Sequence, residues 1–304
     1  MSRHVAVLMG GLSAEREVSL VSGEACARAL EERSYRVSRI DVGRDLPQRL
    51  LELRPDCCFN ALHGRMGEDG RVQGLLDLMG IPYTHSGVLA SALAMDKPMA
   101  KRIFESAGLR CPSGVETTPA RLAREGSPLP PPFVVKPAAE GSSVGVAICL
   151  DGDLRPVLQR NDLGRHDRLL VETYVPGREL TCAVLDDRPL AVTEIRPRTD
   201  FYDYRAKYTE GLSTHLVPAP LPEDIYARVM DWALRAHRAL GCRGVSRADF
   251  RFDESRGADG LFLLEVNTQP GMTPLSLVPE QAAFCGIAFA DLVVRLVEEA
   301  RCDR

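Results

Sequence analysis

In the first part of the chain, to about residue 95, short apolar runs alternate with stretches whose hydrophobic positions recur at helical spacing. The pattern predicts strands from Val5 to Met9, Arg36 to Asp41 and Asp56 to Asn60, with an amphipathic helix from about Ala14 and a short one near Leu46. Strand and helix in turn predict a parallel α/β unit. A second unit starts near Met95-Asp-Lys97 with a helix to Ala107, and a Pro-rich connector, 127–132, leads to strands at 133–137, 144–150, 169–175 and 180–185. There strand follows strand, as in α+β units. Ile225, Val229, Trp232, Ala233, Ala236 and Leu240 predict a helix that begins after Pro222 and stops at Gly241. Phe289, Leu292, Val293, Leu296 and Val297 form a second apolar stripe, expected to face the core.

Residues 245–253 and 261–267 both alternate between apolar and polar, and the polar stretch 254–260 between them reads as a hairpin loop. With a symmetric loop, Asp249 falls opposite Glu265 and Arg247 opposite Asn267, all four on one face. The other face pairs Phe250 with Leu264 and Phe252 with Phe262, a dry surface that fixes the register. Two opposed carboxylates repel unless something positive lies between them. With an amide oxygen beside them they make a hard ligand set suited to Mg²⁺ carried on phosphate oxygens.

Composition narrows the field of partners. The chain has 304 residues, 45% of them hydrophobic, enough for two or three compact units. A formal net charge of −4 and the lack of any basic run argue against nucleic acid and acidic membranes as partners. The N-terminus enters a strand-like run and no stretch has the length of a membrane span, so the expectation is a cytoplasmic protein. Nine cysteines with no Cys-x-x-Cys pair favour neither a disulfide framework nor a zinc site.

Four loops carry candidate chemistry. Gly10-Gly11-Leu-Ser13 leads into the first helix, with Ser13 the expected N-cap and Glu15 in the first turn, where the helix dipole alone could explain a negative charge. The loop lacks the Gly-x-Gly-x-x-Gly of a dinucleotide site. Residues 60–70 form a glycine-punctuated loop containing His63, at the end of a strand where open α/β sheets place ligands, although turn chemistry would also account for its glycines. Lys136 ends an apolar strand ahead of Gly141-Ser-Ser-Val-Gly145, whose small residues let main-chain amides approach a phosphate; the plainer reading is a turn beside a lysine. Residues 199–211 hold three of the seven tyrosines and Lys207, and read either as a lid over a site or as a twisted edge strand.

Taken together, 9–19, 61–64, 95–97, 140–145, 201–208 and 265–272 resemble the D-alanine:D-alanine ligases of the ATP-grasp superfamily, in the same order and over nearly the whole chain. The resemblance implies a Rossmann-like substrate domain at 1–95, a central ATP-grasp subdomain at 96–180 and a C-terminal one at 181–304. It implies ATP bound by Lys97, Lys136, Ser142, Ser143, Glu172, Val175, Glu179, Lys207 and Asn267, with two Mg²⁺ or Mn²⁺ ions on Asp249, Glu265 and Asn267. Glu15 and His63 would hold the first D-alanine, Ser276 and Leu277 the second, and Arg247 and Gly271 the tetrahedral oxyanion. Ser142 and Tyr208 would join Glu15 in closing the loop. The implied reaction makes D-alanyl-D-alanine through a D-alanyl phosphate, for peptidoglycan precursor synthesis, in a homodimer. A ligase for another D-amino acid or a D-hydroxy acid, or a nucleotide-binding module without turnover, are the alternatives. Departures from the commonest pattern fall at Ala138-Ala139, Arg205 and Pro274-Leu275.

Overall fold

The structure, a computed structural model, describes residues 3–141, 145–159, 163–197 and 213–303. Its first sheet is parallel, with β1 (His4–Met9) between β2 (Arg36–Asp41) and β3 (Cys57–Asn60). Every residue of β1 is buried, as expected for a strand covered on both faces. Helix α1 (Arg16–Glu32) packs so closely on this strand that a Cβ on Gly23 would lie 2.4 Å from Met9 Cβ. Helix α2 (Leu46–Leu53) covers another part of the sheet through Leu46 and Leu50. Helices α3 (Arg71–Met79), α4 (Val88–Met95) and α5 (Lys97–Ser106) follow.

The second sheet has the order β4-β7-β5-β6, formed by β4 (Gly114–Thr117), β5 (Phe133–Pro137), β6 (Ala147–Cys149) and β7 (Leu169–Thr173), with α6 (Pro119–Glu125) and α7 (Arg155–Leu158) alongside. Of the strand expected over 144–150, Ala147–Cys149 forms β6, and Val144 lies outside the described residues.

The third sheet runs β10-β9-β8-β11-β12, all antiparallel: β8 (Arg178–Leu185), β9 (Arg188–Pro197), β10 (Ser213–Leu216), β11 (Val245–Phe252) and β12 (Leu261–Asn267). Helix α8 (Glu223–Ala239) lays Ile225, Val229, Ala233 and Ala236 on its dry face, against Leu180, Cys182, Phe250 and Phe252. At the chain's end come α9 (Leu277–Phe284) and α10 (Phe289–Glu298); Leu292, Val293, Leu296 and Val297 of α10 pack with Cys26, Ala27 and Leu30 of α1. β12 is the marginal strand of its sheet. Leu263 N donates to Arg110 O at 2.9 Å, and the guanidinium carbons of Arg110 and Arg256 lie 5.9 and 5.1 Å from the Phe262 ring centre.

Two local expectations need correction. The first helix starts at Arg16 with Glu15 at its N-cap position; Ser13 instead donates its hydroxyl to His63 O at 2.7 Å and accepts from Glu15 N at 3.2 Å. Four residues, Leu12 to Glu15, therefore separate the glycines from the helix, and Ser13 is committed to the neighbouring loop. In the hairpin, Asp249 faces Glu265 and Arg247 faces Asn267, but a bulge follows Asp249, so that Phe250 pairs with Leu263 and Phe252 with Leu261. The extra residue is Leu264. It shifts the phase of β12, turning Leu261 and Leu263 to the dry face and Phe262 away from it. The polar connection 254–260 joins the two antiparallel strands, as expected, and is built from 3-10 turns with a kink at Gly257.

The residues at the end of the chain hold α4 in place. Asp303 Oδ2 accepts from Val88 N at 2.7 Å, at the helix start, while Asp303 N donates to Asp77 Oδ1 at 2.9 Å. Asp303→Ala removes this cap, and we expect a loss of stability of about 1 kcal/mol, visible as a lower urea midpoint. An unchanged midpoint would show that the cap does not support α4.

Candidate active site

The C-terminal ends of β1 and β3 face the wet side of β11 and β12 across an open cleft. Gly10 and Gly11, with φ of +72° and +81°, make the turn that brings Glu15 to one end of it. There Glu15, His63 and Glu68, all buried, present ligand atoms within 4.8 Å of one another. His63 is held from both sides, by Glu68 Oε1 at 3.2 Å on Nδ1 and by Ser22 Oγ at 3.2 Å on Nε2. Two acids and an imidazole in so small a space suit a cation, either a metal ion or an ammonium group. Gly141 packs directly on this cluster, since a Cβ there would lie 2.9 Å from Glu15 Oε1.

The middle of the cleft is the polar face of the hairpin. Arg247 donates from Nε to Asp249 Oδ1 at 2.8 Å and from Nη2 to Asp249 Oδ2 at 2.7 Å, a bidentate pair with both side chains largely covered. Thr181, opposite Asp249 on β8, donates to the same Oδ1 at 2.7 Å. Glu265 lies 3.3 Å from Lys97 Nζ, which also donates to Glu140 O at 2.5 Å. Asn267 has its Oδ1 aimed by Gln269 N at 2.7 Å. Two carboxylates and an oriented amide oxygen on adjacent strands fit a hard divalent cation, and Lys97 shows that the site attracts positive charge. Glu179 of β8 also lines the cleft, 3.7 Å from Arg251 Nη1.

At the far end, Ser276 occupies the N-cap position of α9 and Leu277 its first turn. Ser276 Oγ accepts from Thr273 N at 3.0 Å, and a Cβ on Gly271 would lie 2.9 Å from it. The backbone at Gly271 is therefore bare where the cleft passes, and free main-chain amides at a helix start favour an anion.

Three of the nominated residues stand behind the cleft wall. Lys136 pairs with Glu172 at 2.5 Å, and Val175 is buried with its carbonyl accepting from Arg251 Nε at 3.1 Å. Burial works to lower the Lys136 pKa, but the carboxylates of Glu172 and Glu265 outweigh it and hold the ammonium above its ordinary value. Ser142, Ser143, Lys207 and Tyr208, with the rest of the expected lid, lie outside the described residues.

Sequence reasoning missed Glu68, Lys101, Thr181 and Gln269. Glu68 had a signal, an acid five residues after His63 in the same glycine-rich loop. Lys101 had one too: it follows Lys97 by one helical turn and so shares its face. Thr181 and Gln269 had none, because their roles depend on partners far away in the chain or on a backbone amide.

Two family models match the chain, the D-ala D-ala ligase N-terminus over residues 47–86 and the D-ala D-ala ligase C-terminus over 112–298. A D-alanine–D-alanine ligase of Parvibaculum lavamentivorans is 58% identical over 306 residues, covering 100% of this chain and 99% of the relative. One from Methylobacterium radiotolerans is 56% identical over 308 residues, covering 100% of both. Among solved structures, the D-alanine–D-alanine ligase of Bacillus anthracis superposes with a TM-score of 0.83 at 33% identity, covering 98% of this chain and 97% of the other. A second structure of that protein, complexed with ATP, gives 0.81 at 33% identity, covering 98% and 96%.

Proposed function

The chain belongs to the D-alanine–D-alanine ligase family, and from that membership we propose that it joins two D-alanine molecules into D-alanyl-D-alanine while converting ATP to ADP and phosphate. The product serves peptidoglycan precursor synthesis. The observation that carries the reading is the hairpin face on which Arg247, Asp249, Glu265 and Asn267 converge beside Lys97.

A carboxylate is a poor electrophile, so the first D-alanine attacks the γ-phosphorus of ATP through a carboxylate oxygen and becomes an acyl phosphate, with ADP leaving. Glu15 takes its ammonium group, and His63, steadied by Glu68 and Ser22, lies near its carboxylate. Lys97, Lys136, Ser142, Ser143 and Lys207 serve the nucleotide phosphates, Glu172 to Val175 the adenine and Glu179 the ribose. Asp249, Glu265 and Asn267 would hold two Mg²⁺ or Mn²⁺ ions, which when bound spread the negative charge of the transferring phosphoryl group. The amine of the second D-alanine, whose carboxylate rests on Ser276 and Leu277, then attacks the acyl carbon. Arg247 and the Gly271 N–H stabilise the oxyanion until phosphate leaves. Ser142, Tyr208 and Glu15 close the loop over the intermediate and exclude water.

The same reading assigns 1–95 to the first substrate, 96–180 and 181–304 to the nucleotide and metal, and the active form to a homodimer in the cytoplasm, where ATP is at hand. No single helix among the described residues is long and apolar enough to cross a membrane. Incubation with Mg-ATP and D-alanine tests the central claim: phosphate release that depends on D-alanine, with the dipeptide as product, is the expected result. Release only with another amino acid or a D-hydroxy acid as acceptor, or nucleotide binding without release, would replace it with a different ligase or a module without turnover.

A further inference from the structure

Lys101 is a buried cation that the reaction scheme does not use. It lies on α5, 6% exposed, and its ammonium group donates both to Glu172 Oε1 and to the carbonyl of Pro112. The other oxygen of Glu172 takes Lys136 at 2.5 Å. One carboxylate, itself 3% exposed, therefore serves two ammonium groups. Burial pushes the Glu172 carboxyl pKa up, and Lys136 and Lys101 together overcome that push and keep it below the ordinary carboxylate value. The fold leaves room for this arrangement. Gly114, paired with Glu172 across β4 and β7, has no side chain, and a Cβ there would lie 3.1 Å from Lys101 Nζ and 3.2 Å from Glu172 Cγ.

We propose that Lys101 is a positioning residue, the standing counter-ion of Glu172 that lets Lys136 turn from this carboxylate to the phosphates of the bound nucleotide. This rests on the assignment of Lys136 to those phosphates. A buried carboxylate left without a cation is strongly unfavourable, and the nucleotide would have to overcome that penalty on binding. With Lys101 in place, the charge on Glu172 stays compensated whichever way Lys136 points. Lys101 makes no contact that requires the nucleotide, because its hydrogen bonds run to Glu172 and Pro112.

The test uses the full chain as Lys101→Met, Glu172→Gln and the double variant, with ATP binding measured by calorimetry in Mg²⁺ and the KM for ATP and for D-alanine measured alongside. Lys101→Met should weaken ATP binding by about tenfold or more and leave the KM for D-alanine within about twofold. In the Glu172→Gln background, where there is no buried carboxylate for Lys101 to neutralise, the same change should alter ATP affinity by less than about twofold. Lys101→Arg should restore part of the loss. Wild-type ATP affinity in Lys101→Met, or an equal loss in both backgrounds, would overturn the proposal. Should Lys101→Met not fold, the comparison of Glu172→Gln with the double variant decides, and a tenfold difference between them counts against a counter-ion. Lys136→Met separates this from the reading beneath it. Unchanged ATP affinity in that variant would remove Lys136 from the phosphates, whatever Lys101 does.

Discussion

Arg247→Ala should lower turnover by about 10²-fold or more while ATP affinity stays near that of the unaltered protein. The expectation follows from where the guanidinium stands. It is fixed by two hydrogen bonds to Asp249, lies opposite Asn267, and lines the cleft together with Gly271. A donor held in place before the reaction needs no reorganisation when the tetrahedral oxyanion forms, and its removal is felt in the transition state more than in the ground state. Asp249 keeps its bond from Thr181 in the variant, so the carboxylate remains oriented. Lysine should not rescue, because a single ammonium cannot reproduce the planar fork that grips Asp249 while presenting an edge to the substrate. The check is kcat and the KM for D-alanine from initial rates, with ATP binding measured directly. Turnover equal to that of the unaltered chain removes Arg247 from the oxyanion.

The second large effect is expected for Glu265→Gln. The carboxylate stands across the strand pair from Asp249 and 3.3 Å from Lys97 Nζ, so its charge is shared between a lysine and whatever cation occupies the face. Glutamine keeps the shape and one acceptor oxygen but removes a full negative charge, the quantity on which divalent affinity at a hard site depends. We expect the Mg²⁺ concentration for half-maximal activity to rise by about tenfold or more and kcat to fall by about 10²-fold or more. A titration of activity against Mg²⁺ at fixed ATP shows both. A curve that overlies that of the unaltered chain would mean that the ion is held elsewhere.

The wet face of the hairpin was legible because strand alternation is strict there: Arg247, Asp249, Glu265 and Asn267 lie on one face once the two strands are aligned. The dry face was not legible to the same depth. Leu264 looks like any other apolar strand residue, and nothing local shows that it is the one the bulge leaves over. The N-cap failed for a similar reason. Ser13 has the right residue type, but its hydroxyl bonds to His63 O, fifty residues away in sequence, and the helix begins only after Glu15. The paired lysines on Glu172 were hidden because the carboxylate reads as part of an apolar strand, and only the packing of α5 against the second sheet brings Lys101 to it. Alternation, stripes and glycine-rich turns are properties of neighbours along the chain; the ion pairs behind the cleft belong to neighbours in space.

The marginal position of β12 has a consequence for the protein in a crowded cell. An unpaired sheet margin can recruit a strand from another molecule and start an aggregate. Here the hydrogen bond from Leu263 to the Arg110 carbonyl occupies one amide of that margin, and two guanidinium groups over Phe262 put positive charge where an incoming strand would settle. The strand that carries Glu265 and Asn267 is thereby kept from serving as a template for self-association.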